Sequence, residues 1–261
     1  MFYRLLKSYN FTTLAGTIAF FFIVNGGSLA FLISLTLNLF HFDYNLSITN
    51  NNTIKQILTY LNLSPSNGYT PYYIVLIATS IWSSSTFFYH IIKTGELIYK
   101  TMRKPYHFFH RITSIILVFI FIVIILISLV LLLILNYLNN RINNSFIKLT
   151  LKVSLYFILP IVIIIYFMLF VPPIRLKINE IYKGTLFTII FWFLISILFR
   201  VYLNIFTNFK AIYGALTFLI ITMIYIYLLA IGLVIGLIVN LEEISKIKNK
   251  NILTITNGDT N

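Results

Sequence analysis

Arg200 is the one formally charged side chain inside the long apolar runs of this chain. Its guanidinium is a planar fork of donors that suits a phosphate or a carboxylate. Ser196 and Asn204 stand one helical turn before and after it, so the three share a helix face. That stripe points to an anion site facing a cavity. The competing reading is snorkelling. Arg200 lies about six residues, roughly 9 Å of helix rise, from the end of its apolar run, and a long side chain can lift its charge to the headgroups. It has no carboxylate to pair with inside the runs: Asp43, Glu96, Glu180, Glu242, Glu243 and Asp259 all fall outside them.

Asn25-Gly26-Gly27-Ser28 forms a polar patch near the middle of the first apolar run. Two glycines weaken a helix and Asn can bond to loosened backbone. A helix broken at mid-membrane is how many transporters form binding sites, whereas small residues serve equally for close helix packing; both readings stand. Trp82-Ser83-Ser84-Ser85 supplies a second set of polar groups, of which Trp82 and Ser84 are expected to meet a ligand. A serine nucleophile is poorly supported, since His90 is about two turns away and no acid accompanies it. His107 and His110 lack a third ligand nearby, so no metal site is expected. The chain has no cysteine, which excludes disulfides, thiolate metal sites and a cysteine nucleophile. No phosphate-binding glycine loop of the ATPase type occurs. The expectation is a protein without catalytic residues or a cofactor.

These residues must be positioned by segments that are mostly hydrocarbon. Hydrophobic residues make up 59% of the chain and charged ones 10%, and the charges gather between the apolar runs. Leu14–Phe40, Ile112–Leu135, Val153–Val171, Gly184–Phe206 and Gly214–Asn240 each hold at most one charged side chain. A spanning helix needs roughly 20 predominantly apolar residues, because the hydrocarbon core is about 30 Å thick and a helix rises about 1.5 Å per residue. A water-soluble helix would need a polar face along its length, and these have none. The chain reads as an all-α integral membrane protein. Tyr73–Ile92 is a weaker sixth candidate, with hydroxyls at Thr79, Ser80, Ser83, Ser84, Ser85 and Thr86. Hydroxyls can return hydrogen bonds to the helix backbone, so this segment can span with its polar face turned inward; a re-entrant or surface helix is the alternative.

Basic residues concentrate on cytoplasmic loops. Six spans with the N-terminus inside place 13 basic residues on the cytoplasmic side and 5 outside, against 12 and 6 for the best five-span arrangement. The deciding detail is Arg4 and Lys7 beside the first span, where charges weigh most on orientation. The expected fold is a bundle of six transmembrane helices with both termini cytoplasmic. Residues 1–245 form a single membrane domain and 246–261 a polar cytoplasmic tail. His41–Tyr72 is too short and polar for a core of its own. The apolar run after Arg4 and Lys7 is too long for a signal-peptide core, so the first span reads as an uncleaved anchor. Loop bias also explains the net charge of +13 without nucleic acid, for which no fold or aromatic platform is present.

Gly232 and Gly236 form a GxxxG pair with Asn240 one turn on, a helix-packing face whose partner is either in this chain or in another copy of it. Self-association through Gly232 and Gly236 is therefore one expectation. Pro160 is expected to kink the fourth span and Pro172-Pro173 to end it. The loop Lys93–Arg111 mixes Lys100, Arg103, Lys104 and Arg111 with aromatic residues, a composition that contacts anionic headgroups.

Several short pieces recur in a familiar order: Ala19-Phe20-Phe21-Phe22, Ile81-Trp82-Ser83-Ser84-Ser85, Arg103-Lys104-Pro105, Pro173 and Arg175 before Gly184, Tyr202, Tyr213-Gly214, and Gly236 with Asn240. Their order and spacing, over about nine-tenths of the chain, resemble the YihY/virulence factor BrkB family of bacterial inner-membrane proteins, once labelled ribonuclease BN. The resemblance implies a six-span helical protein of the bacterial plasma membrane. It also implies a link, for some relatives, with envelope lipid export and resistance to host serum. Asn25 and Ser28 stand where members often carry Ser and Pro. Thr86 stands where Arg often follows the Trp-Ser motif, and Gly236-Leu237-Ile238 replaces the usual Gly-Ala-Glu. Mechanisms that use that arginine or that carboxylate do not transfer directly. The ribonuclease label finds no metal-ligand cluster in these residues.

Two functions compete. In the first, Asn25, Ser28, Trp82, Ser84, Ser196, Arg200 and Asn204 bind an anionic amphiphile in a transporter or lipid-translocating protein whose partners are anionic membrane lipids. In the second, the chain is a structural or assembly protein of the envelope. An intramembrane enzyme is a weaker third.

Overall fold

The computed structural model describes residues 10–39, 70–100, 107–141, 145–174, 176–205 and 209–258. Within them lie six helices: α1 (Phe11–Leu39), α2 (Thr70–Tyr99), α3 (His107–Arg141), α4 (Ser145–Phe170), α5 (Ile178–Ile205) and α6 (Phe209–Gly258). No strand occurs among the described residues. Five stretches are long and apolar enough to cross a membrane: Phe11–Thr36, Ile74–Tyr99, His110–Ser128, Ile178–Leu203 and Leu219–Lys246, with Ile158–Phe170 a shorter apolar stretch. The chain is a helical multi-pass membrane protein. Most of His41–Tyr72, and Arg103-Lys104-Pro105, lie outside the described residues.

Local sequence explains the helix ends. The Asn10 carbonyl accepts the first bonds of α1, from the N–H groups of Thr13 and Leu14. Lys100, with φ 50, closes α2 in the left-handed conformation that commonly follows a helix. Glu180 accepts a 2.8 Å bond from the Lys177 N–H and so caps the start of α5. The helix α4 stops at Phe170, just before Pro172-Pro173, and continues through Pro160.

Two expectations change. First, α1 is one unbroken helix through Gly26 and Gly27. A Cβ added at either glycine would meet nothing within 4 Å among the described residues, so these positions do not break the helix and seat no close neighbour there. Second, most of the expected loop Lys93–Arg111 is helix, because α2 continues to Tyr99 and α3 begins at His107. The reason is an apolar stripe that outlasts the apolar run: Ile91, Ile92, Thr94, Ile98 and Tyr99 are buried while Lys93 and Leu97 are exposed. The helix α6 also runs on through the polar tail from 246 to Gly258.

The contacts divide the chain into two compact units: Met1–Ile23, His90–Pro105 and Ile158–Asn261 in one, Val24–Tyr89 and Tyr106–Phe157 in the other. In the first, Met168, Val171, Ile181, Val234, Leu237 and Ile238 are buried, and α5 packs on α6. Glycine makes that approach close. A Cβ at Gly236 would strike Thr188 and come to 2.9 Å from the Gly184 carbonyl, and one at Gly232 would meet Phe191. The GxxxG face is thus seated on α5 of the same chain. Thr188 Oγ1 donates to the carbonyls of Gly184 (2.8 Å) and Gly232 (3.3 Å), and Trp192 Nε1 donates to the Leu229 carbonyl (2.9 Å). In the second unit, Phe87, Phe88, Val118, Phe121 and Ile122 are buried, with the Phe88 and Phe121 rings edge-on at 5.5 Å.

Candidate binding site

The second unit gathers polar groups from α1 and α2. Asn25 is 5% exposed. Ser83 Oγ donates to Asn25 Oδ1 at 2.7 Å, and Ser28 Oγ donates to Ser83 Oγ at 3.0 Å. Asn25 and Ser28 lie three apart on one face of α1, so one serine of α2 bridges both. Interhelical bonds of this kind contribute about 0.6–2 kcal/mol each in a membrane. Two of the expected ligand-binding residues, Asn25 and Ser28, are therefore brought together, through Ser83, which was not among them.

Ser84 and Trp82 point differently. Ser84 is fully buried and its hydroxyl has no hydrogen-bond partner among the described residues. Trp82 is 62% exposed. Over its ring, at 4.0 Å from the centroid, lies the guanidinium of Arg111 from the second turn of α3. Arg111 Nη2 donates to the Trp82 carbonyl (3.2 Å) and to Thr86 Oγ1 (3.1 Å), while Thr86 Oγ1 itself donates to the Trp82 carbonyl (3.1 Å). The ring contact contributes about 0.5–2 kcal/mol, more as it is desolvated. Arg111 Nε is buried with no hydrogen-bond partner among the described residues. The reading of Arg111 as a loop residue at the headgroups missed this arrangement. Thr86, four residues after Trp82, was the available signal: it stands where the family resemblance expects an arginine, and the guanidinium beside it comes from the next helix.

The remaining expected residues belong to the first unit. Ser196 Oγ donates to the Trp192 carbonyl (2.7 Å) and lies 3.0 Å from the Tyr225 hydroxyl. Arg200 is exposed. Around it Ile197, Leu198, Val201 and Leu203 are exposed as well, the setting of a side chain that lifts its charge along an apolar surface. Asn204 is in the last turn of α5, its side chain outside the described residues.

Set against known proteins, the family model described as Virulence factor BrkB matches residues 2–252. YfkH of Bacillus subtilis (strain 168), named as a ribonuclease-like protein, is 25% identical over 209 residues, which cover 76% of this chain and 75% of that protein. No solved structure matches the chain significantly.

Proposed function

The chain belongs to the virulence factor BrkB family, and on that premise we propose that it gives an anionic amphiphile, a phospholipid-like molecule, passage across the membrane. The observation that carries this reading is the Asn25–Ser83–Ser28 chain of hydrogen bonds. Polar side chains are costly within hydrocarbon and mark substrate paths when they occur there. Two groups of residues are offered to the ligand: Asn25, Ser28, Trp82 and Ser84 in one unit, Ser196, Arg200 and Asn204 in the other. The proposal includes six crossings, both termini on the cytoplasmic side, and residence in the bacterial plasma membrane. It assigns no catalytic residue, cofactor or nucleic-acid partner.

One observation favours the second reading, an assembly protein of the envelope: Arg200 is exposed among exposed apolar side chains. Translocation of a fluorescent anionic phospholipid in liposomes holding the purified chain separates the two. Faster movement than in protein-free liposomes, slowed by Ser83→Ala and by Arg200→Ala, supports passage along these residues. Movement at the protein-free rate with a folded native chain rejects unassisted translocation and leaves the assembly reading.

A further inference from the structure

We propose that Arg111, held by Trp82 and Thr86, is an anion-binding cation of this protein, and that its ligand is the phosphate of an anionic membrane lipid. The inference deepens the translocation reading and rests on it for the class of ligand.

The placement comes first. Thr86 lies well inside Ile74–Tyr99, the apolar stretch of α2 long enough to cross a membrane. Arg111 starts from the second turn of α3 and reaches that level by lying across Trp82. A guanidinium that deep needs a counter-charge. Among the described residues no carboxylate pairs with it: its bonds go to one carbonyl and one hydroxyl, both neutral. The group is therefore oriented but not neutralised.

The geometry also leaves room for a ligand. Both hydrogen bonds use Nη2 and Nε is buried, so Nη1 is the donor nitrogen left to face a ligand. Arg111 is partly exposed and Trp82 is 62% exposed, which opens the pair toward the surrounding lipid. A phosphate oxygen accepts a charge-assisted hydrogen bond from such a nitrogen. An indole beside it packs on the acyl or glycerol portion. The chain run before α3 carries Lys100, Arg103 and Lys104, which raises the local concentration of anionic headgroups. Arg200, by contrast, is exposed with Ile197, Leu198 and Val201 exposed beside it in the helix.

The chain's two tryptophans provide the test. Trp192→Phe leaves Trp82 as the sole indole, beside Arg111. This variant is placed in liposomes containing either brominated phosphatidylglycerol or brominated phosphatidylcholine, whose bromines quench an adjacent indole. Phosphatidylglycerol is expected to quench at about fivefold lower mole fraction, the factor that one cation near a membrane surface supplies, and Arg111→Gln is expected to erase the difference. Circular dichroism and melting confirm that each variant is folded. Equal quenching by the two lipids, or a preference that survives Arg111→Gln, overturns the proposal. Should the two lipids quench equally while inorganic phosphate at matched ionic strength shifts the Trp82 emission of the Arg111 chain but not of Arg111→Gln, the ligand is a soluble phosphate and the lipid assignment is overturned. The two proposals fail separately: lost translocation with the preference intact rejects the passage reading alone, and a lost preference with translocation intact rejects this site alone.

Discussion

The backbone N–H of Gly184 donates to Asn240 Oδ1 at 2.7 Å, while Asn240 Nδ2 reaches Met168 Sδ at 3.4 Å. One fully buried side chain thus ties α5 and α6 together and touches α4. The contact is available because Gly184 has no Cβ; one placed there would come to 2.5 Å from Asn240 Cγ and strike the Gly236 carbonyl. Gly184→Ala is expected to destabilise the helix pair by about 1–3 kcal/mol, the usual cost of overpacking. Thermal melting in detergent reads this directly, and an unchanged midpoint means that the two helices separate slightly at little cost.

Gly26 and Gly27 predict the opposite sign. Both are inside a continuous helix with open space where a methyl would go. Alanine at either position should stabilise by about 0.5–1 kcal/mol through reduced backbone freedom. A lower melting temperature for either variant would show that the glycines answer a need for close approach that the described residues do not display.

Ser83 and Ser84 adjoin in sequence and should respond differently. Ser83→Ala removes both bonds of the Asn25–Ser28 bridge and should cost about 1–3 kcal/mol, the loss of two interhelical bonds. Ser84→Ala removes a buried hydroxyl that has no partner among the described residues and should be neutral or stabilising. Parallel melts of the two variants make the comparison; equal losses would contradict it.

Arg200 offers a further contrast. With its side chain exposed among Ile197, Leu198 and Val201, Arg200→Gln should change stability by less than about 0.5 kcal/mol, as surface substitutions do. Arg111→Gln should cost more, about 1–3 kcal/mol, through loss of a charged hydrogen-bonding group and its ring contact. Unfolding of both in mild denaturant tests the order, and a larger loss at Arg200 would reverse the assignment of which arginine is built into the fold.

That this is a helical membrane protein follows from the residues alone, because solvent preference is additive along the chain. Runs such as Gly214–Asn240 are apolar on every face, and no arrangement of them suits water. Caps and breakers are equally local, so the stop before Pro172-Pro173 was legible. Asn25, Ser28 and Trp82 could be singled out because polar residues in an apolar run are anomalous wherever the run folds. Only the tertiary structure decided which groups meet. Arg111 sits at the edge of its run, where a basic residue is ordinary, and nothing along the chain indicates that its side chain lies across Trp82 from the neighbouring helix. Gly232 and Gly236 promised close packing without naming a partner, and α5 supplied Thr188 and Phe191. The two glycines of α1 were misleading for a physical reason. Their weak helix propensity is a matter of about 1 kcal/mol per residue, small beside the several kcal/mol that each unpaired backbone group costs in lipid, so the helix continues through them.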